Sequence, residues 1–244
     1  MRVWKCLLLL LGVGAILVAP AVTATEKVAD CGLVTFEGIL ENAPVGSPAG
    51  HPTVTFGDSW RAVINSDAGG IGDFDNEPSP STIVYLDNQS DISILFDPPV
   101  QSVEFWYTAS GSDLPLDVVA LGSDGIEVVA QDTGTTDGTL DCPPGSVGTY
   151  CNWDTITLSA LGNKIASVQI VGASTYDFGI DDLEYCTQPM VACCLDGVTC
   201  VQVTEEECLA INGFPAGEVD CGNVDCEPVP SDSATWGTLK GSYR

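Results

Sequence analysis

From Cys31 to Cys186, short runs of β-branched and aromatic residues are separated by Gly, Pro, Asp and Asn, and helical periodicity is almost absent. Runs of this length bounded by turn formers read as strands. The pattern predicts strands at Val34–Glu37, Val54–Phe56, Trp60–Ile64, Thr82–Leu86, Ile92–Phe96, Val103–Thr108, Leu116–Leu121, Glu127–Ala130, Asp154–Ser159, Ile165–Val171 and Tyr176–Tyr185. Alternation is cleanest in Val103-Glu104-Phe105-Trp106-Tyr107, where the odd positions share one face and Glu104 and Trp106 the other. Such a succession predicts an all-β sandwich. A domain of about 155 residues buries roughly two thirds of its unfolded surface, enough for an independent core.

Two loops interrupt the regularity. Asn65 to Pro80 is rich in Gly, Asp and Pro and is expected to order over one end of the sandwich. Cys142 to Cys151 encloses Pro143-Pro144-Gly145, and a disulfide there would staple a hairpin loop. Beyond Cys186 the composition changes. Residues 187–228 hold too little apolar material for a core and carry six cysteines instead, Cys193, Cys194, Cys200, Cys208, Cys221 and Cys226, as small secreted domains do. Fifteen connectivities are open to them. Thr204-Glu205-Glu206-Glu207 has capping-box spacing, which predicts a short helix, and Asn212-Gly213 supplies a left-handed stop.

The N-terminus sets the compartment. Met1–Lys5 is a basic leader, Cys6–Val18 an apolar run, and Val22-Thr23-Ala24 places small residues where a signal peptidase reads, so residues 1–24 are expected to be removed. Cys6 leaves with them, and the ten remaining cysteines can all pair in an oxidising compartment. No later stretch approaches the roughly 20 apolar residues of a spanning helix. The predicted organisation is a signal peptide (1–24), a β-sandwich (25–186), a cysteine-rich module (187–228), and a linker and tail (229–244).

After cleavage, five basic residues (Lys27, Arg61, Lys164, Lys240 and Arg244) face 34 acidic ones, a net charge of −29. Nucleic acid and anionic membranes are poor partners for such a chain, whose self-repulsion a cation would relieve. A bond between Cys31 and Cys186 would make the first and last strands antiparallel neighbours, with opposed residue numbers summing to 217. That register, carried on, puts Glu37 across from Ile180, beside Asp181 and Asp182. Three carboxylates would then converge on a hard cation, and Ca2+ in a structural role is the expected ligand.

For other chemistry, His51 has no nucleophile or metal motif beside it, and the cysteine spacing lacks the paired CxxC of a zinc site. With so many acids, a carboxylate pair at glycosidase spacing arises by chance and carries no information. Sugar binding needs an aromatic platform with polar groups beside it. Trp60, Trp106 and Trp153 are the candidate platforms, and the cluster Asp67, Asp73, Asp75, Asn76 and Glu77 is a candidate for binding the ligand or a second Ca2+. The tail, with Trp236, Lys240 and Tyr243, is a candidate for recognition by a sorting partner.

Several segments together carry a family likeness: Val34-Thr35-Phe36-Glu37-Gly38, Asn76-Glu77-Pro78-Ser79-Pro80, the Cys142–Cys151 hairpin with Asn152-Trp153, and Phe178-Gly179-Ile180-Asp181-Asp182-Leu183. They resemble secreted bacterial jelly-roll domains of the galactose-binding-like and carbohydrate-binding-module type. The resemblance implies a jelly roll whose structural calcium is held by Glu37 with Asp181 or Asp182. The segment from Ala192 to Cys226 is similar to small cysteine-rich modules of exported bacterial proteins, and the tail resembles short terminal tags of such proteins. The expected function is an exported, non-catalytic binding module at the cell surface or in the extracellular matrix, acting on glycans. The alternatives are a structural surface or matrix protein without a small ligand, and a glycoside hydrolase.

Overall fold

The computed structural model describes residues 29–111, 114–146, 148–173, 176–196, 198–216, 221–224 and 226; the expected signal segment and the 229–244 tail lie outside them. The strands are β1 (Asp30–Val34), β2 (Val54–Phe56), β3 (Trp60–Ile64), β4 (Thr82–Leu86), β5 (Ile94–Val100), β6 (Ser102–Ala109), β7 (Asp117–Leu121), β8 (Glu127–Asp132), β9 (Asp154–Ser159), β10 (Ile165–Val171) and β11 (Phe178–Thr187). They form two sheets, one ordered β3-β4-β11-β6-β9 with β1 also on β11, the other β2-β5-β10-β7-β8. From β4 to β11 the chain crosses between sheets at nearly every connection, which makes a jelly-roll β-sandwich.

The core lies between the sheets, and the period of two decides what enters it. Val103, Phe105 and Tyr107 are buried, whereas Glu104 and Trp106 face outward. In the first sheet, Ala62, Val84, Ile180 and Tyr107 lie in register as one inward row. The next row, Arg61, Tyr85, Gly179 and Thr108, points away from the core.

β11 is the axis of this sheet. Its first half pairs with β4 and its second half with β1, while β6 runs along its other side. Cys31 and Cys186 are directly opposed and bonded, and every β1–β11 pair sums to 217 as expected. The extension of that register to Glu37 does not hold. The ladder ends at Val34–Leu183, because Phe36 turns into the left-handed region (φ 62°) and carries Glu37 away from β11. Ile180 instead pairs with Val84 and Tyr107. β11 also contains one extra residue against β6: Asp181 faces Trp106 and Glu184 faces Glu104, with Asp182 at φ 44° between them. Strict alternation would have buried Asp182 and exposed Leu183; the bulge returns Leu183 to the core.

The cysteine-rich module contains strands that its composition does not suggest: β12 (Met190–Leu195), β13 (Thr199–Thr204) and β14 (Phe214–Pro215), ordered β13-β12-β14. The helix α1 (Glu205–Ala210) starts at the expected capping box, with Thr204 accepting from the Glu207 N–H and Glu207 accepting from the Thr204 N–H. Asn212, at φ 57°, provides the stop. Cys193–Cys208 ties β12 to α1, Cys200–Cys221 fastens β13, and Cys194–Cys226 closes the end. The module sits against the sandwich through Lys164–Glu207 at 3.6 Å and a two-way bond between the Asn163 side chain and the Gln188 backbone.

Replacing Cys31 and Cys186 together by serine should lower unfolding free energy by about 2 to 5 kcal/mol, since the bond closes a long loop. Denaturant unfolding measures this, and an unchanged midpoint would mean that β1 pairing alone closes the sandwich.

Candidate functional site

The outward row of the first sheet forms the floor of a cleft of about 450 Å³, within the range of small-ligand sites, about 300 to 1,000 Å³. Gly179 keeps that floor low. A Cβ there would lie 3.0 Å from Ile83 Cδ1 and 3.7 Å from Thr108 Cγ2. Thr108 is buried beside it, and its Oγ1 has no partner among the described residues.

Aromatic side chains wall the cleft. The rings of Tyr85 and Tyr176 lie 5.7 Å apart at 32°. Tyr176 is 62% exposed and sits in the left-handed region (φ 68°), a conformation that costs an aromatic residue about 1 to 3 kcal/mol. Two bonds hold it there: its N–H donates to Leu86 O at 2.8 Å, and its hydroxyl donates to Asp87 at 2.8 Å. Arg61 Nε lies 3.6 Å from the same Asp87 carboxylate. Across the cleft, the Tyr150 hydroxyl donates to Asp177 at 2.8 Å, and the Tyr85 hydroxyl to Asn42 at 3.2 Å. Burial, then the Asp87 charge, raises the Tyr85 pKa; the hydrogen bond to Asp87 raises that of Tyr176. Both hydroxyls therefore remain protonated donors at neutral pH.

The rim consists of the two loops singled out in the sequence, laced to each other. Phe74 and Tyr150 form a bridge, Tyr150 N–H donates to Asp73 O at 3.0 Å, and Asp75 N–H donates to Tyr150 O at 2.8 Å. The Asp73 carboxylate accepts from the Thr149 N–H and hydroxyl. Asn76 Nδ2 donates to Ser146 Oγ and to Cys151 O, and Trp153 Nε1 donates to Asp75 O at 3.0 Å. The Cys142–Cys151 bond closes the hairpin carrying these acceptors.

Beside the cleft, the bulge in β11 gathers acid. Asp181 is fully buried and accepts from the Ser79 N–H at 2.8 Å, from the Ser79 hydroxyl, and from the Asp182 N–H. Burial pushes its pKa up to about 7, the Asp182 charge adds to the rise, and the Ser79 donors pull against it. Asp182 is raised by burial and then by Glu37; Glu77 is raised by burial, then by Asp75 and Glu37. Glu37 caps the start of β4, accepting from Ser81 N–H at 3.0 Å and Thr82 N–H at 2.9 Å. Asp182 Oδ1 is buried with no hydrogen-bond partner among the described residues. This crowd of carboxylates with an orphaned oxygen suits a hard cation, and the donor set is all oxygen. The ligand atoms are not drawn together: among the described residues, the one trio of metal-type side chains within 4.8 Å is Cys31, Glu184 and Cys186, whose sulfurs are bonded to each other.

The expected ligand residues fall in different places. Trp60 is not a platform. It is fully buried, edge-on to Phe56, with Nε1 donating to Ile92 O, because its position in β3 faces the core. Trp106 is 38% exposed on the outward face, outside the cleft lining. Asp73 lines the cleft, whereas Asp75 and Asn76 hold the rim loops together. Sequence reasoning missed Tyr85, Tyr150 and Tyr176. The available signal was outward parity for Tyr85, opposite the buried Val84, and the break in alternation before β11 for Tyr176.

No family model matches the chain, and no curated protein matches it. Among solved structures it is similar to the K2 cleaved adhesin domain of Lys-gingipain (TM-score 0.41, 13% identity, covering 64% of this chain and 97% of that one). It is similar also to the K1 cleaved adhesin domain of Lys-gingipain from Porphyromonas gingivalis W83 (TM-score 0.33, 11% identity, 65% and 99%). A third is the catalytic domain of a GH87 alpha-1,3-glucanase in complex with nigerose (TM-score 0.30, 13% identity, 53% and 28%). Likenesses this distant leave the site to be read from its own geometry.

Above about pH 8, where Asp181 is mostly ionised, Ser79→Ala leaves it short of a hydroxyl donor and should cost about 1.5 to 3 kcal/mol, the scale of a hydrogen bond to a charged group. Chemical denaturation measures it, and a loss under about 0.5 kcal/mol, the size of an ordinary surface change, would mean that Ser79 does not secure Asp181.

Proposed function

We propose that this chain is an exported, non-catalytic glycan-binding module whose ligand lies in the tyrosine-walled cleft. The observation that carries the reading is the Tyr85–Tyr176 pair over a glycine floor with Asp87, Asp177 and Asp73 around it. The rings offer an apolar face to a sugar, and the carboxylates accept from its hydroxyls. Five disulfides support an oxidising, extracellular setting, and among the described residues no helix is long and apolar enough to cross a membrane. A non-catalytic role is favoured because Asp181, whose pKa of about 7 suits a general acid, is sealed beneath Ser79, outside the cleft lining.

A structural Ca2+ belongs to the same proposal. Asp182 would hold it through its orphaned Oδ1, with Glu37 and Glu77 swinging in and Asp181 fixing the bulge behind. The ion would neutralise a group that meets no basic side chain among the described residues and would brace the loop over β11. The partner at the cell surface or in the matrix would be the glycan itself, and the 235–244 tail is proposed as a separate contact for a sorting partner.

A glycan and polysaccharide array probed with the oxidised protein should give saturable binding, and Tyr176→Ala should weaken it about threefold to tenfold, the scale of a lost aromatic contact. Silence across the array would favour a structural surface protein without a small ligand. Millimolar Ca2+ should raise the thermal midpoint relative to chelator, and Asp182→Asn should abolish that increment. Identical midpoints in both conditions would remove the ion from the proposal.

A further inference from the structure

We infer that the cleft prefers a sugar bearing a free, protonated amino group over its neutral hydroxyl or N-acetyl counterpart, an inference that rests on the cleft being a glycan site. Among the described residues, three carboxylates line it, those of Asp73, Asp87 and Asp177, and no basic side chain does. Arg61, at the end of the same outward row, lies against Asp87 at 3.6 Å but is not among the described residues that line the cleft. The local balance is therefore negative even with that ion pair counted.

The hydrogen-bond inventory points the same way. The three tyrosine hydroxyl protons are committed to protein acceptors: Tyr176 to Asp87, Tyr150 to Asp177 and Tyr85 to Asn42. Among the described lining side chains the donors that remain are the Thr108 hydroxyl and the Asn42 amide, set against three carboxylates and the tyrosine lone pairs. A neutral sugar hydroxyl brings one proton and two lone pairs, and few donors in the cleft answer those lone pairs. An ammonium brings three donors, no acceptor and a full positive charge. The exposed ring of Tyr176 adds a π face beside Asp87 on which a cation can rest. The raised pKa values of Tyr85 and Tyr176 keep both hydroxyls in their donating form across neutral pH.

The chain is acidic as a whole, so the test must separate a local preference from general attraction. Calorimetry on the oxidised protein would compare oligosaccharides of β-1,4-linked glucosamine, N-acetylglucosamine and glucose at one ionic strength, each repeated at about 1 M salt, where the screening length falls to about 3 Å. The glucosamine oligomer should bind about tenfold or more tightly than the other two, and the advantage should shrink at high salt. Asp87→Asn and Asp177→Asn should each reduce its affinity about threefold to tenfold. Glu127→Gln, an exposed change on the other sheet, should leave it unchanged.

Equal or tighter binding of glucose or N-acetylglucosamine oligomers would overturn the amine preference while leaving glycan binding intact. Binding by none of the three, here and across the wider array, would overturn both. A loss with Glu127→Gln equal to that with Asp87→Asn, or displacement of the amino sugar by oligolysine at the same concentration, would reduce the effect to bulk charge and overturn the inference.

Discussion

The bulge at Asp182 in β11 is the constraint on which the sandwich and its site both depend. β11 must serve β4 at one end and β1 at the other along the same edge, while β6 follows it on the far side. One additional residue lets the strand change neighbours and still return Leu183 to the core. The cost is two adjacent carboxylates in the middle of a sheet, one of them fully buried. Ser79 reaches from the long loop to answer that cost, so the loop is pinned to the strand it covers. With the loop fixed, its neighbouring residues Asp73 and Phe74 are placed as the wall of the cleft. A local backbone irregularity thereby determines where a ligand surface can form.

The chain reconciles strong acidity with a compact fold by giving many of its carboxylates local donors. Asp91 accepts from the N–H and hydroxyl of Ser93, Asp137 does the same with Thr139, and Glu37 and Glu207 cap the elements beside them. Only two ion pairs, Arg61–Asp87 and Lys164–Glu207, occur among the described residues. Backbone amides and hydroxyls do the neutralising work that lysines do elsewhere, and they hold their carboxylates in place while doing so. At Asp182 and at Glu41 the donors run out before the acceptors do, and Asp182 Oδ1 and Glu41 Oε1 are buried with no partner among the described residues.

Strands whose apolar residues alternate, such as β6 and β10, were legible to within a residue or two, and so was the β1–β11 register, because two cysteines mark a single line of pairing. The capping box was legible because both partners lie within four residues. The bulge was not, since one extra residue leaves no compositional trace and Asp181-Asp182 reads equally well as an exposed strand end. The module strands were hidden because cysteines replace the alternating apolar residues that announce a sheet. The cleft was the least legible feature. Tyr85, Tyr150 and Tyr176 come from a strand, a hairpin and a turn far apart in the chain, and only the sheet order brings them together. Tryptophan drew the attention instead, yet Trp60 is placed by parity in the core, where a large flat side chain fills volume.

The bond between Cys31 and Cys186 joins the point where the chain enters the sandwich to the point where it leaves, with a sequence separation of 155 residues. A pulling force applied between anything before Cys31 and the cysteine-rich module after Cys186 is carried by two sulfur atoms. The intervening polypeptide hangs from that bond as a side loop outside the line of tension. Strand slippage under flow or traction cannot reach β4, β6 or the cleft while the bond is intact. For a protein exposed to shear, the mechanical path and the cleft are thereby separated by covalent chemistry.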